Sequence, residues 1–221
     1  MNIELISTSD GSNTLFIPSM NETYHSIHGA LTESMHVFIE HGFKKISEKY
    51  DDIRVFEVGF GTGLNALLTQ EIALQSKKRT EYHSIETFPL SIELMQQYAQ
   101  TSISGISSDT FLKMHNAPWD KIVEFHDYFK FKKIHGDLLK YAFNETYHLI
   151  YFDAFAPEKQ EEMWSDEIFS ALYNALVQGG VLTTYCVKGI IRRRLKKIGF
   201  NIEKLPGPKG GKREMLRATK E

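Results

Sequence analysis

The sequence predicts an α/β protein: a mostly parallel central sheet with helices on both faces and a short β extension at the N-terminus. Three observations predict it. Strand-like and helix-like segments alternate through residues 53–200, the pattern of βαβ units. A glycine-rich turn, Gly59-Phe60-Gly61-Thr62-Gly63, joins the first of these strands to the first of these helices. Glu86, Asp137 and Asp153 fall at or near the carboxyl ends of three further strand-like runs, the edge on which such sheets bind ligands.

The elements follow in order. Ile3–Ile6 and Thr14–Ile17 read as short extended pieces separated by the turn formers Ser9-Asp10-Gly11-Ser12, with a stop at Pro18. Residues 30–49 read as a helix, because Ala30, Ser34, Val37, Phe38, His41 and Lys45 recur at spacings of three and four. Ile53–Val58 is a β-branched, mostly apolar strand, and Leu64–Leu74 is the helix after the glycine turn. Tyr82–Glu86 is a strand, Ser91–Gln100 a helix, and Phe131–Asp137 and Tyr147–Asp153 two strands ending in acids. Ser165–Leu176 is a helix with an acidic first turn, which suits the helix dipole, and Gly179-Gly180 is expected to end it. Val181–Val187 is a strand, Gly189–Ile198 a basic helix, and Met215–Thr219 a last strand.

At 221 residues the chain fits one domain, read here as an extension or cap over residues 1–50 and a core over 51–221. The net charge of −2 argues against binding nucleic acid by bulk charge. A single cysteine, Cys186, forms no internal disulfide. The absence of a secretory leader or a long apolar run makes the cytoplasm the expected location, with no membrane association.

Three chemistries compete for the glycine turn. A phosphate loop requires Gly-Lys-Ser/Thr, whereas Leu64 and Asn65 follow Gly63. A dinucleotide site wants G-x-G-x-x-G, and here the third glycine comes one residue early. A tight turn with no ligand is the bland alternative. The run Glu57-Val58-Gly59-Phe60-Gly61-Thr62-Gly63 resembles the first motif of class I S-adenosylmethionine-dependent methyltransferases. That resemblance implies a Rossmann-like fold and S-adenosyl-L-methionine as cofactor, held by Glu57, Gly59, Gly61, Gly63 and Asn65. Glu86 would then take the ribose hydroxyls, and Asp137 with Leu138 would face the adenine.

Phe152-Asp153-Ala154-Phe155-Ala156-Pro157 follows the most apolar strand. A carboxylate there can orient an amine N–H and take a proton while the nitrogen lone pair meets a methyl donor. Pro157 would stiffen the loop and Phe155 would offer a stacking surface. The bland reading of Asp153 is a loop N-cap.

Taken with Ile85-Glu86-Thr87-Phe88-Pro89-Leu90, Met163-Trp164, Gly199-Phe200 and Lys212-Arg213-Glu214-Met215-Leu216, these stretches resemble the tRNA 5-aminomethyluridine methyltransferases, the methyltransferase half of the bifunctional MnmC enzymes. The resemblance spans most of the chain; residues 101–130 match it poorly, and Pro206–Gly211 replaces a Gly-Phe-Gly-Arg run. It implies N-methylation of 5-aminomethyl(-2-thio)uridine at the tRNA wobble position, with Asp153 as the catalytic residue. Phe155, Pro157, Lys212 and Arg213 would touch the substrate. Because the sequence ends at Glu221, it implies a stand-alone form without the fused oxidase.

Arg192, Arg193, Arg194, Lys196 and Lys197, with Lys204, Lys209, Lys212 and Arg213, form a basic C-terminal region suited to RNA phosphates or simply to solvent. Phe155 and Trp164 are candidates for stacking on a splayed base, Trp164 being equally suited to the core. Tyr24 and Glu33 are expected to close over the cofactor. His25, His28, His36 and His41 lack ligand spacing, so no metal is expected. The rivals are a methyltransferase for a small-molecule amine, a non-catalytic RNA-binding protein of the same fold, and a nicotinamide-dependent oxidoreductase.

Overall fold

The computed structural model describes residues 3–99, 107–211 and 213–221. The N-terminal extension forms a small antiparallel sheet of β1 (Glu4–Ser7), β2 (Asn13–Ile17) and β3 (Glu22–Thr23). The β1–β2 turn turns on Gly11 at φ 80°. The Asp10 carboxylate beside it accepts from Ser12 N at 3.1 Å, and from Thr32 N at 2.9 Å and Thr32 Oγ1 at 2.7 Å. One side chain thus closes the hairpin and ties it to the helix that follows.

That helix, expected as one piece over 30–49, is α1 (Ala30–Ser34), a π-helical stretch Met35–Phe43, and α2 (Lys44–Ser47). The wider turn buries Val37, Phe38, Ile39, Gly42 and Phe43 against the sheet. A Cβ on Gly42 would come within 3.1 Å of the Tyr151 ring, so the helix lies close enough to the strands that a larger residue would have to push that ring aside.

The main sheet has eight strands: β4 (Asp52–Val58), β5 (Arg79–Glu86), β6 (Ile122–His126), β7 (Phe129–His135), β8 (Tyr147–Phe152), β9 (Leu176–Thr184), β10 (Phe200–Pro206) and β11 (Glu214–Lys220). Their order is β10-β11-β9-β8-β4-β5-β7-β6. The five central strands are mutually parallel, while β6 and β11 run antiparallel to their neighbours. The remaining helices are α3 (Leu64–Ser76), α4 (Ile92–Ala99), α5 (Ser108–Asn116), α6 (Asp166–Ala175) and α7 (Gly189–Ile198). Strand order reverses between β4 and β8, so the crevice at their carboxyl ends is where this topology places a ligand.

Alternation along the strands sorts two cores. Val55, Tyr82, Phe129, Phe131, Leu149 and Tyr151 pack under the π-helical stretch, α3 and α5. Phe56, Val58, Ile134, Ile150 and Phe152 pack under α6 and α7 with Trp164, Phe169 and Leu195. Ser165 caps α6, its Oγ accepting from Ile168 N at 3.3 Å.

Two expectations change. Gly179-Gly180 does not stop α6, which ends at Ala175; the glycines lie inside β9. Pairing with β8 jumps from Tyr147↔Leu176 to Leu149↔Val181, a bulge that Gly179 permits at φ 75°. Residues 107–130, left without elements by the sequence reading, hold α5, β6 and the start of β7. No helix among the described residues is long and apolar enough to cross a membrane.

Candidate active site

A cavity of about 560 Å³ opens at the β4–β8 crevice. The glycine turn forms its floor. Gly59, Gly61 and Gly63 have φ of 88°, 50° and 74°, conformations L side chains rarely adopt. Each is also closely approached: a Cβ would meet Asp153 O at 3.0 Å from Gly59, the Tyr24 ring at 3.0 Å from Gly61, and the Phe60 ring at 2.8 Å from Gly63. Two histidines brace the turn from outside. His115 Nε2 donates to Thr62 O at 2.9 Å, and His25 Nε2 shares a hydrogen bond with Thr62 Oγ1 at 2.7 Å.

Glu86, at the end of β5, holds the turn from the other side. Its Oε2 accepts from Gly61 N at 3.0 Å and its Oε1 from Phe88 N at 2.8 Å. Each oxygen retains lone-pair capacity, and the residue lines the cavity with Ile85, Thr87, Phe88 and Leu138. An anionic bidentate acceptor between a glycine cradle and an apolar slot is the chemistry that a ribose and an adenine require, and the volume suits a ligand of that size. The residues present therefore fit an adenosyl cofactor.

Asp153 stands where β8 ends, with its backbone N donating to Val58 O at 3.2 Å. Its Oδ2 accepts from Asn65 Nδ2, in the first turn of α3, at 2.8 Å. Phe155 lines the same wall, its ring 5.3 Å from that of Tyr24 at 74°. Tyr185 donates to Ala154 O at 2.9 Å, fixing the segment between Asp153 and Phe155. The N-terminal extension closes the cavity: Tyr24, His25, Ser26 and Glu33 line it, and Lys159 donates to Met20 O at 2.6 Å across the mouth.

Of the residues that the sequence singles out, Gly59, Gly61, Glu86, Leu138, Asp153 and Phe155 are gathered at the cavity, joined by Tyr24 and Glu33. Four sit beneath or beside it. Glu57 is fully buried below the floor and does not line the cavity. Gly63 and Asn65 lie behind the turn, Asn65 reaching the site through Asp153. Asp137 caps the 3-10 turn Leu138–Lys140, accepting from Leu139 N at 3.0 Å, and Leu138 takes the place against the cavity. Pro157 is half-buried in the loop after Phe155, outside the lining. Arg213 is exposed in the β10–β11 hairpin, on the cavity edge of the sheet but next to β11, two strands from β8. Lys212 lies outside the described residues.

Trp164 is not a stacking surface. It is fully buried and donates from Nε1 to Phe155 O at 2.8 Å, so it holds the loop from below. The basic helix is partly spent within the protein: Arg194 and Lys197 pair with Asp166 at 3.5 and 2.8 Å, and Lys188, just before the helix, pairs with Glu158. Met163, Lys159 and Tyr185 line the cavity without having been assigned to it from the sequence. Met163 belongs to a stretch that carries the resemblance, which was the available signal.

These features define a Rossmann-like methyltransferase fold, with the cofactor crevice at the β4–β8 reversal. The crystal structure of MnmC2 from Aquifex aeolicus superposes with a TM-score of 0.79 at 24% identity, covering 98% of this chain and 70% of that one. Spermidine synthase from Thermotoga maritima superposes at 0.63 and 17% identity, covering 99% and 69%. A family described as S-adenosyl-L-methionine-dependent methyltransferase matches residues 111–221, and the chain belongs to that family. The tRNA 5-methylaminomethyl-2-thiouridine biosynthesis bifunctional protein MnmC of Leptospira interrogans is 33% identical over 217 residues, 89% of this chain and 32% of the relative. Its counterpart in Burkholderia multivorans is 28% identical over 216 residues, 92% of this chain and 33% of the relative. The chain spans about a third of the length of these relatives.

Proposed function

We propose that this methyltransferase acts on an amine, the aminomethyl group of 5-aminomethyl(-2-thio)uridine at the wobble position of tRNA, converting it to 5-methylaminomethyl(-2-thio)uridine. The observation that carries the reading is Asp153: a carboxylate on the cavity wall, held by Asn65 and flanked by the Phe155 ring. S-adenosylmethionine supplies the methyl group on a sulfonium sulfur. As the carbon–nitrogen bond forms and the carbon–sulfur bond breaks, the sulfur keeps the electron pair of the broken bond. The nitrogen gains the positive charge and must shed a proton. Asp153 accepts the amine N–H, turns the lone pair toward the cofactor and takes that proton.

The charge of the cavity supports an amine over a hydroxyl acceptor. Glu22, Glu33, Glu86, Glu162 and Asp153 line it against Lys159 as the lysine in the lining, a surplus of carboxylates that attracts cationic groups. Phe155 and Tyr24 provide an aromatic corner against which a pyrimidine can stack. Residues 1–50 act as the cap of a single-domain enzyme, with Tyr24 and Glu33 on its inner face. The names of the MnmC relatives support tRNA as the partner, and with it the cytoplasm as the place of action.

The test is transfer of labelled methyl from S-adenosylmethionine to bulk tRNA from cells lacking the enzyme, comparing the wild type with Asp153→Ala. Label in a nucleoside matching 5-methylaminomethyluridine, lost in the variant while cofactor binding persists, is the expected result. Cofactor binding with no label in tRNA would overturn the substrate and turn attention to small cationic amines, which the acidic lining also suits.

A further inference from the structure

Glu57 is where the sequence reading and the structure part. It sits in β4 facing the α3 side of the sheet, directly opposite Ser84 of β5 and Tyr151 of β8. No part of it reaches solvent. Its Oε2 accepts from Ser84 Oγ at 2.6 Å, while its Oε1 has no hydrogen-bond partner. Two other buried atoms in the same cluster, Asn65 Oδ1 and the Tyr82 hydroxyl, are also without one. The groups facing Glu57 are Ser84 and Tyr82 from β5, Tyr151 and Asp153 from β8 and its end, and Asn65 from α3, and each is neutral or anionic.

A carboxylate in this place would be a fully buried charge with no cation facing it among the described residues, one oxygen short of a hydrogen bond and a second carboxylate nearby. A carboxylic acid removes the unpaired charge and turns one oxygen into an O–H donor, which an acceptor left without a partner, such as Asn65 Oδ1, can take. We propose that Glu57 is a positioning residue for Asp153: it works as a neutral acid under the cavity floor and, through the Asn65 amide, keeps the negative charge of the site on Asp153. Burial raises its pKa to about 8, and the Asp153 charge acts in the same direction, together outweighing the opposing pull of the Ser84, Asn65 and Tyr82 donors. The motif acid is then part of the acceptor's machinery, one layer below it. The inference rests on Asp153 as the carboxylate that faces the amine, but not on which amine is methylated.

Carbon-13 spectra of the full chain labelled at glutamate side-chain carboxyls test it without any substrate. The Glu57 signal, identified by its loss in Glu57→Gln, should titrate well above the other glutamates, near pH 8. It should shift toward the ordinary range in Asp153→Asn, where the neighbouring charge is gone. Titration with the bulk of the glutamates overturns the neutral acid, and indifference to Asp153→Asn overturns the link to Asp153. If Glu57→Gln does not fold, sequential assignment of the wild type gives the same signal. In the transfer assay Glu57→Ala should lose about tenfold or more in kcat, and Glu57→Gln should recover most of it and flatten the alkaline limb of the profile. A Gln variant as slow as Ala, with unchanged melting, means the charge itself is needed and the proposal fails. Failure of the tRNA substrate leaves the carboxyl titration untouched, so the two ideas fall separately.

Discussion

Asn65 Nδ2 donates to Asp153 Oδ2 across 2.8 Å, joining the first turn of α3 to the end of β8. These residues are 88 apart in sequence, and their meeting fixes one carboxylate rotamer beside the glycine turn. Asn65 is almost fully buried, so the contact is protected from water. Replacing Asn65 by Ala should loosen the hold on Asp153 and lower kcat by about ten- to a hundredfold, a fraction of what a positioned base contributes. Affinity for the cofactor should change less. Steady-state rates with cofactor titrations on the same preparation separate the two effects.

The glycines of the turn predict two different failures. A Cβ on Gly63 would drive into Phe60, which is itself buried, and into His115 Nε2 at 3.1 Å. Gly63→Ala should therefore cost about 2 kcal/mol of stability, the sum of left-handed strain and overpacking, seen as a lower melting temperature. A Cβ on Gly61 would meet the side chain of Tyr24 at the cavity wall. Gly61→Ala should leave melting nearer the wild type and weaken cofactor binding, read by calorimetric titration.

Both histidines bracing Thr62 have pKa values lowered to about 4, mainly by burial. In the unfolded chain each takes up a proton near its ordinary value of 6.5, while the folded site resists it. Their contribution is complete above pH 6.5 and is lost as pH falls through about 4. Stability should decline over that window, and His115→Gln should make the decline shallower by removing one of the two protons. Denaturant midpoints measured at intervals of pH check this.

Glu57 tilts stability the other way. Its folded pKa of about 8 lies above its ordinary value of 4.5, so stability is complete below 4.5 and lost as pH rises through about 8. One proton gives a slope of at most about 1.4 kcal/mol per pH unit. Glu57→Gln should abolish that slope while the acid-side decline remains.

The parts of the fold that were legible obey local rules. β4, β8 and α3 read correctly because a buried parallel strand is continuously apolar and a glycine turn interrupts it. Gly179-Gly180 misled because a double glycine marks a helix stop and a bulge equally well; only pairing with β8 distinguishes them. Trp164 shows the same limit at the site. Its type suits stacking or core, and the choice was made by Phe155 O, a partner nine residues away. Asp153 and Glu86 were legible because strand ends place them on one edge. Tyr185 was not, since its contact runs to a backbone carbonyl on another strand end.

The basic helix is subject to the same tertiary constraints. Of the basic helix, Arg194 and Lys197 are held by Asp166 at 3.5 and 2.8 Å, so they are poor candidates for phosphate contacts. Arg193 and Lys196 are exposed and have no ion pair among the described residues. The acidic lining of the cavity would repel a phosphate chain, which places its attraction outside the mouth, on such free cations. If the substrate is tRNA, Arg193→Ala and Lys196→Ala should each weaken binding uniformly across tRNAs wherever the side chain meets a phosphate. Each lost contact should reduce the slope of log affinity against log salt by about 1. Lys197→Ala should leave that slope unchanged and act instead on stability, and there only slightly, because the pair is exposed to solvent. Salt-dependent binding of the three variants, with melting curves alongside, tells a phosphate-contacting face from a merely solvated one.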